Sequence, residues 1–165
     1  EMSKWDDIVR EHGLPSYRVA WRILRHAHDC EDVLQEVFIE AHRLFIAGEV
    51  THWRTFLNRM VTYRALDLLR QRRPMNEIGL GPISDNSPSP EQVAIYQEEA
   101  VRVREIVAEL PPRQAAVFCL AHFEELTHDE IAATLEISVN AVGMALHKAR
   151  ANLRSAMMEH NRENN

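Results

Sequence analysis

The sequence predicts an all-α protein of two small helical domains joined by a flexible acidic linker. Apolar residues recur at helical spacing through both halves of the 165 residues, and no strand-like alternation appears. Between them, PMNEIGLGPISDNSPSPEQ (74–92) holds four of the seven prolines and two of the five glycines, with no basic residue. Pro-Ser-Pro at 88–90 cannot continue a helix, because proline lacks the amide and clashes with the preceding turn. The expected division is a first domain at 1–73, a linker at 74–93 and a second domain at 94–165. Each half is small, so its core is modest and gains stability from partners.

The first half reads as helices at about 3–12, 15–27, 30–46 and 51–72. In the third, Leu34, Val37, Phe38, Ala41 and Phe45 form the stripe expected to be buried. Opposite lie Asp32, Gln35, Glu36, Ile39, Glu40 and Arg43. This is either a solvated acidic face or a docking face for a basic partner, with Ile39 as its apolar anchor. The fourth helix is biased the other way. Arg54, Arg59, Arg64, Arg70, Arg72 and Arg73 oppose a single acid, Asp67, while Trp53, Phe56, Leu57, Met60, Val61, Ala65, Leu68 and Leu69 supply packing. Tyr63 stands among the arginines, and the combination suits phosphate contact and base stacking. Trp5, Trp21 and Trp53 read as core anchors.

In the second half, Leu126–Arg154 reads as two short helices joined by a tight turn. Thr127 and Glu130 form a capping box, in which the hydroxyl and carboxylate each satisfy an amide at the helix start. Ile131 and Leu135 give the first helix an apolar stripe, and Ile137 plugs the turn. Ser138 caps the second helix, behind which Val142, Leu146, Ala149 and Leu153 repeat at helical spacing. Two capped helices with so short a join cross steeply, which is the geometry of a helix-turn-helix or of an ordinary helical corner. Residues after Ala156 are expected to fray.

Charge distribution says more than the formal net charge of −6. Residues 1–75 carry 12 basic against 11 acidic residues, 76–100 carry none against 5, and 101–165 carry 7 against 9. Such a chain meets nucleic acid locally rather than coating it, and offers acidic surface to something basic. Cys30 and Cys119 argue against a disulfide scaffold and fit a reducing cytoplasm. No apolar run is long enough to span a membrane, so no membrane insertion is expected. His26, His28 and Cys30 lack a standard zinc spacing, and neither a metal nor another cofactor is expected.

Asp29-Cys30-Glu31-Asp32-Val33-Leu34-Gln35-Glu36-Val37-Phe38 resembles the region-two signature of bacterial RNA polymerase sigma factors of the sigma-70 family, extracytoplasmic-function (ECF) group. Phe56-Leu57-Asn58-Arg59 and Ala65-Leu66-Asp67-Leu68-Leu69-Arg70 resemble the promoter-melting helix of that domain. Leu110-Pro111-Pro112-Arg113-Gln114 through Val117-Phe118, with the helix-turn-helix after it, resembles region four. The resemblance covers nearly all of the chain outside the linker. It implies a bacterial cytoplasmic initiation factor with no covalent chemistry of its own. Asp32, Gln35, Glu36, Ile39 and Glu40 would dock on the clamp helices of the largest subunit of core RNA polymerase. The loop at 45–52 with Asn58, Arg59, Thr62, Tyr63 and Arg70 would engage and open the minus-ten promoter element. Arg113, Ser138, Asn140, Met144, His147, Lys148, Arg150 and Arg154 would contact minus-thirty-five DNA. The linker would thread toward the RNA exit path, and an anti-sigma protein would hold the two domains.

The chain departs from the family pattern where specificity resides. Glu136 stands at the usual turn glycine; a positive φ there costs a non-glycine residue on the order of 1 kcal/mol. Gly143-Met144-Ala145 replaces the usual Lys-Ser-Arg of the recognition helix, and Thr62-Tyr63 replaces a frequent Arg-Asn pair. Asn140 suits adenine and Met144 a thymine methyl, so an A/T-leaning element is one reading and weak phosphate-guided contact is the other. Two other functions fit a helix-turn-helix: a regulator that works without polymerase, and an interaction protein that sequesters partners with weak DNA readout. The acidic and arginine-rich helices favour the sigma reading, since a simple repressor needs neither. Met144→Arg should tighten DNA binding and broaden sequence preference; unchanged binding across a promoter library would remove this helix from direct readout.

Overall fold

A computed structural model describes residues 3–72 and 90–165, apart from the side chains of residues 90 and 92–96. The described residues form seven α-helices: α1 Lys4–Leu24, α2 Ala27–Ala47, α3 Trp53–Gln71, α4 Pro90–Glu109, α5 Pro112–His122, α6 His128–Leu135 and α7 Val139–Glu163. The acidic linker expected at 74–93 and Arg73 lie mostly outside the described residues. Its final positions do not: α4 starts at Pro90, where a proline in the first turn gives up no helical hydrogen bond.

Ser3 opens α1 with a capping box, its hydroxyl accepting from the Asp6 amide at 3.2 Å while the Asp6 carboxylate accepts from the Ser3 amide at 2.9 Å. The two expected helices at 3–12 and 15–27 are in fact this single helix, with Pro15 inside it. An internal proline removes one amide donor and is ordinarily a breaker. Here the turns on both sides of it pack: Trp5 joins the first core, and Val19, Ala20 and Ile23 are buried. Arg25 ends α1 in the left-handed region at φ 52°, and the next residue, His26, caps α2 through its ring.

Val19, Ala20, Cys30, Val33, Val37, Ala41, Leu57 and Val61 form the core of the first three helices. Trp5, Phe38, Phe45, Trp53 and Phe56 make edge-on and tilted ring contacts along its border. Cys30 and Cys119 are both free and buried, and burial pushes their thiols up to about 11 and about 12. The second core is larger and does not respect the domain division. Ile23, Ala65 and Leu66 of the first lobe pack in one cluster with Val107, Leu110, Val117, Leu120, Ile131, Leu135, Val142 and Leu146 of the second. α3 thus has apolar surface on two sides, one toward α1 and α2, the other toward α4, α5 and α6. Leu66, 0% exposed, belongs to that second side and was absent from the packing residues expected for this helix. The tail expected to fray instead continues α7 to Glu163, through residues such as Met157, Met158 and Glu159 with good helix propensity.

One charge contact ties the ends of the first lobe together. Asp29, 4% exposed at the start of α2, lies 2.5 Å from Nη1 of Arg72 at the end of α3. Removing the carboxylate strands a half-buried guanidinium. Asp29→Ala should cost about 1–3 kcal/mol, read as a lower urea midpoint; an unchanged midpoint would show that the pair merely breaks even.

Candidate nucleic-acid interface

Three faces carry the residues of interest. On α2, Asp32, Gln35, Glu36, Ile39 and Glu40 recur at the three- and four-residue spacing that places them on one side of a helix. Gln35 and Glu36 are exposed, and Ile39 is 68% exposed. The face is lightly pinned by ion pairs: Asp32 with His28 at 3.5 Å, Glu36 with Arg64 at 3.9 Å, and Glu40 with Arg43. The hydrogen bond from Arg43 lowers the Glu40 pKa, so this carboxylate keeps its charge. An exposed isoleucine ringed by carboxylates suits a partner that is basic at its rim and apolar at its centre.

The arginine-rich α3 is far less open than its composition suggests. Arg59 Nη1 lies 3.0 Å from Glu136 Oε1 and donates to the Thr134 carbonyl at 3.5 Å, both in the second lobe. Arg70 pairs with Asp67 at 3.2 Å, and Arg72 with Asp29. Thr62 is 0% exposed, and its hydroxyl has no hydrogen-bond partner. Tyr63 packs against the shared core. Asn58, one of the minus-ten candidates, lines a polar cleft of about 340 Å³ bordered also by Arg18, Arg22, Arg54 and Glu124. Arg59 and Tyr63 thus face the second lobe in this arrangement.

The helix-turn-helix folds as its caps dictate. Thr127 accepts from the Glu130 amide at 3.2 Å, and Glu130 returns the contact to the Thr127 amide at 2.9 Å. Glu136 takes the left-handed conformation, φ 57° and ψ 44°, and the Ile137 amide donates back to Ala132. Ser138 then accepts from the Ala141 amide at 3.0 Å to start α7. Val142, Ala145, Leu146 and Ala149 are buried. Asn140, Met144, His147, Lys148, Arg150 and Arg154 are exposed, as are Ser138 in the turn and Arg113 at the start of α5. No neighbouring atom crowds Gly143, so packing does not demand glycine there. Arg150 donates through Nε to Nε2 of His122 at 3.2 Å, which requires that ring nitrogen to be unprotonated.

Sequence reading missed the residues that join the lobes. Arg22 Nη1 donates to Glu124 Oε2 at 2.7 Å across 102 positions, with the Glu124 side chain only 13% exposed. Glu136 was singled out for its backbone, not for the charge it brings to Arg59. No local signal marks either pair.

The fold and these faces define a two-lobed helical protein that couples a helix-turn-helix to an arginine-rich helix. Residues 8–74 match Sigma-70 region 2, and residues 100–153 match Sigma-70, region 4. The chain belongs to the sigma-70 family. It is 31% identical to the ECF RNA polymerase sigma factor SigE of Mycolicibacterium smegmatis, over 98% of this chain and 65% of that protein. It is 26% identical to the ECF RNA polymerase sigma factor SigW of Bacillus subtilis, over 93% of this chain and 88% of SigW. The solved structure of CnrH in complex with the cytosolic domain of CnrY superimposes with a TM-score of 0.61 at 24% identity, covering 94% of this chain and 88% of that one, which supports the fold. Among the described residues, no helix is long and apolar enough to cross a membrane.

Burial first, and the Arg150 charge second, lower the His122 pKa. A depressed histidine contributes stability that is present above the ordinary value of about 6.5 and lost as pH falls through the native value. An NMR titration should place His122 below that ordinary value, and Arg150→Gln should move it part of the way back. A midpoint indifferent to Arg150 would dissolve the pairing.

Proposed function

We propose that this chain binds core RNA polymerase in the bacterial cytoplasm and directs promoter-specific transcription initiation. The supporting observation is the coexistence, in one chain of this family, of an exposed acidic face on α2 and an exposed helix-turn-helix face on α7. Asp32, Gln35, Glu36 and Glu40 offer charge to the polymerase clamp helices, and Ile39 is the apolar centre of that contact. A rim of carboxylates chiefly steers and aligns, while the buried isoleucine sets how long the complex lasts.

Minus-ten recognition falls to Asn58, Arg59, Thr62, Tyr63 and Arg70 of α3. Opening DNA means holding an unstacked base, which costs a few kcal/mol that stacking and hydrogen bonds must offset. Tyr63 supplies a ring, Asn58 and Thr62 supply polar groups, and the arginines hold backbone phosphates. Minus-thirty-five DNA is read by α7, where Asn140 and Met144 meet base edges. His147, Lys148, Arg150 and Arg154 lie along the groove walls, while Ser138 and Arg113 fix the approach. The linker runs toward the RNA exit path, and an anti-sigma protein holds the factor inactive across both lobes. The chemistry of RNA synthesis stays with the polymerase.

Adding the protein to core polymerase with a promoter library, and sequencing the transcripts, tests this reading. Initiation at a shared sequence pair supports it. DNA binding without polymerase-dependent transcripts would favour a stand-alone regulator, and polymerase binding without initiation a sequestering protein. Gln35→Arg with Glu36→Arg should abolish polymerase association while leaving the circular dichroism spectrum unchanged; retained association would overturn the docking assignment.

A further inference from the structure

α7 leaves one face to solvent. Asn140, His147 and Arg154 stand seven residues apart on it, and Arg150 lies at its margin, one turn before Arg154. Val142, Ala145, Leu146 and Ala149 press the opposite face into the core. Two side-chain bonds to α5 flank that buried stripe. Arg150 donates from Nε to Nε2 of His122 at 3.2 Å, and Asn152 donates to Oε1 of Gln114, also at 3.2 Å. Together they fix the rotation of α7 against α5, and with it the place of Arg150.

The His122 ring is itself held. It lies on Phe118, which is 6% exposed, with ring centroids 4.5 Å apart and planes inclined at 35°. Burial, and then the Arg150 charge, keep this histidine below its ordinary range. At neutral pH its Nε2 therefore carries a lone pair and its Nδ1 the proton.

The arginines of α3 are held in another way. Arg59, Arg64, Arg70 and Arg72 each meet a carboxylate, whose charge offsets theirs at short range. Among the described residues no carboxylate pairs with Arg150. A neutral imidazole fixes the guanidinium through Nε and leaves its whole charge, with both Nη groups, for another acceptor. An arginine that is free must surrender several rotatable bonds on binding, and one already held surrenders fewer. A charge kept intact and aimed in advance suits an anion arriving at the margin of a recognition helix, where the backbone phosphates run.

We propose that His122 is a positioning residue for DNA: it aims Arg150 at a backbone phosphate beside the groove that α7 enters, acting through Arg150 rather than by a contact of its own. This rests on the reading of α7 as the minus-thirty-five helix. His122 itself lies outside the helix-turn-helix, at the end of α5.

The test uses the full chain at about pH 8, well above the ordinary histidine value, so that His122→Phe changes no charge and keeps a ring on Phe118. His122→Gln keeps a neutral acceptor. Exchange of the Arg150 Nε–H with solvent, followed by NMR without DNA, reports the holding. It should be slowed in the parent and in His122→Gln, and fast in His122→Phe. Fluorescence anisotropy with a short labelled duplex of random sequence reports phosphate contact, which needs no promoter. Arg150→Gln should weaken duplex binding about fivefold and lower its salt slope by about 0.9, the loss of one phosphate. His122→Phe should weaken binding about threefold, and His122→Gln should restore most of that. In the His122→Phe background the effect of Arg150→Gln should shrink, as coupled residues require. A full-sized Arg150→Gln effect in that background, or Nε–H exchange indifferent to His122, would overturn the positioning and leave α7 as a DNA helix. Duplex binding indifferent to Arg150→Gln would overturn the phosphate contact. If it were indifferent to Lys148→Gln as well, the minus-thirty-five reading of α7 would fall with it.

Discussion

The arrangement depends on a single apolar seam along α3. This helix is buried toward α1 and α2 through Leu57 and Val61, and toward the second lobe through Ala65 and Leu66. Lobes of this size bury too little surface to be comfortable alone, because surface grows relative to volume as chains shrink. Each burial of a leucine-sized side chain contributes roughly 1.5–3 kcal/mol, comparable to a substantial part of a small domain's net stability. The C-terminal lobe meets this need by packing on the side of α3 that carries Ala65 and Leu66.

Electrostatics follows the seam. A helix with several arginines and one acid would repel itself if every guanidinium stood in solvent. Instead Arg59, Arg64, Arg70 and Arg72 each meet a carboxylate, from Glu136, Glu36, Asp67 and Asp29 respectively. These contacts differ in kind. Asp29 is buried and its pair with the half-buried Arg72 couples the two ends of the first lobe, whereas Glu136 is 74% exposed and contributes little to stability by itself.

The helix-turn-helix shows a compromise of similar character. Its caps are complete, and its turn runs through a left-handed glutamate rather than glycine. Its outer face is poor in cations at the positions nearest the turn, so binding by this lobe alone is expected to be weak. In the proposed role, tethering to polymerase would raise the local concentration of DNA and relieve that demand. Within such an assembly, two modest promoter contacts suffice where a free repressor needs one strong contact.

Much of this architecture was legible in the residues, because local signals are self-contained. Thr127 with Glu130 and Ser138 with its following turn announce helix starts within four positions, and the buried run Val142, Leu146 and Ala149 follows from helical period alone. Glu136 declared its backbone strain by standing where the chain turns. The joining of 3–12 and 15–27 across Pro15 was not legible, since burial on both sides outweighed a local penalty. Nor was the extension of α7, or the double-sided burial of α3. The sequence by itself determined helical class, the two lobes, their caps and the kinds of surface each carries, all set within a few neighbours along the chain. Only the tertiary structure decided which arginines are free and that Arg22 meets Glu124 and Arg59 meets Glu136. Those pairings join residues far apart in sequence, and apolar packing between lobes, not any local pattern, brings them within reach.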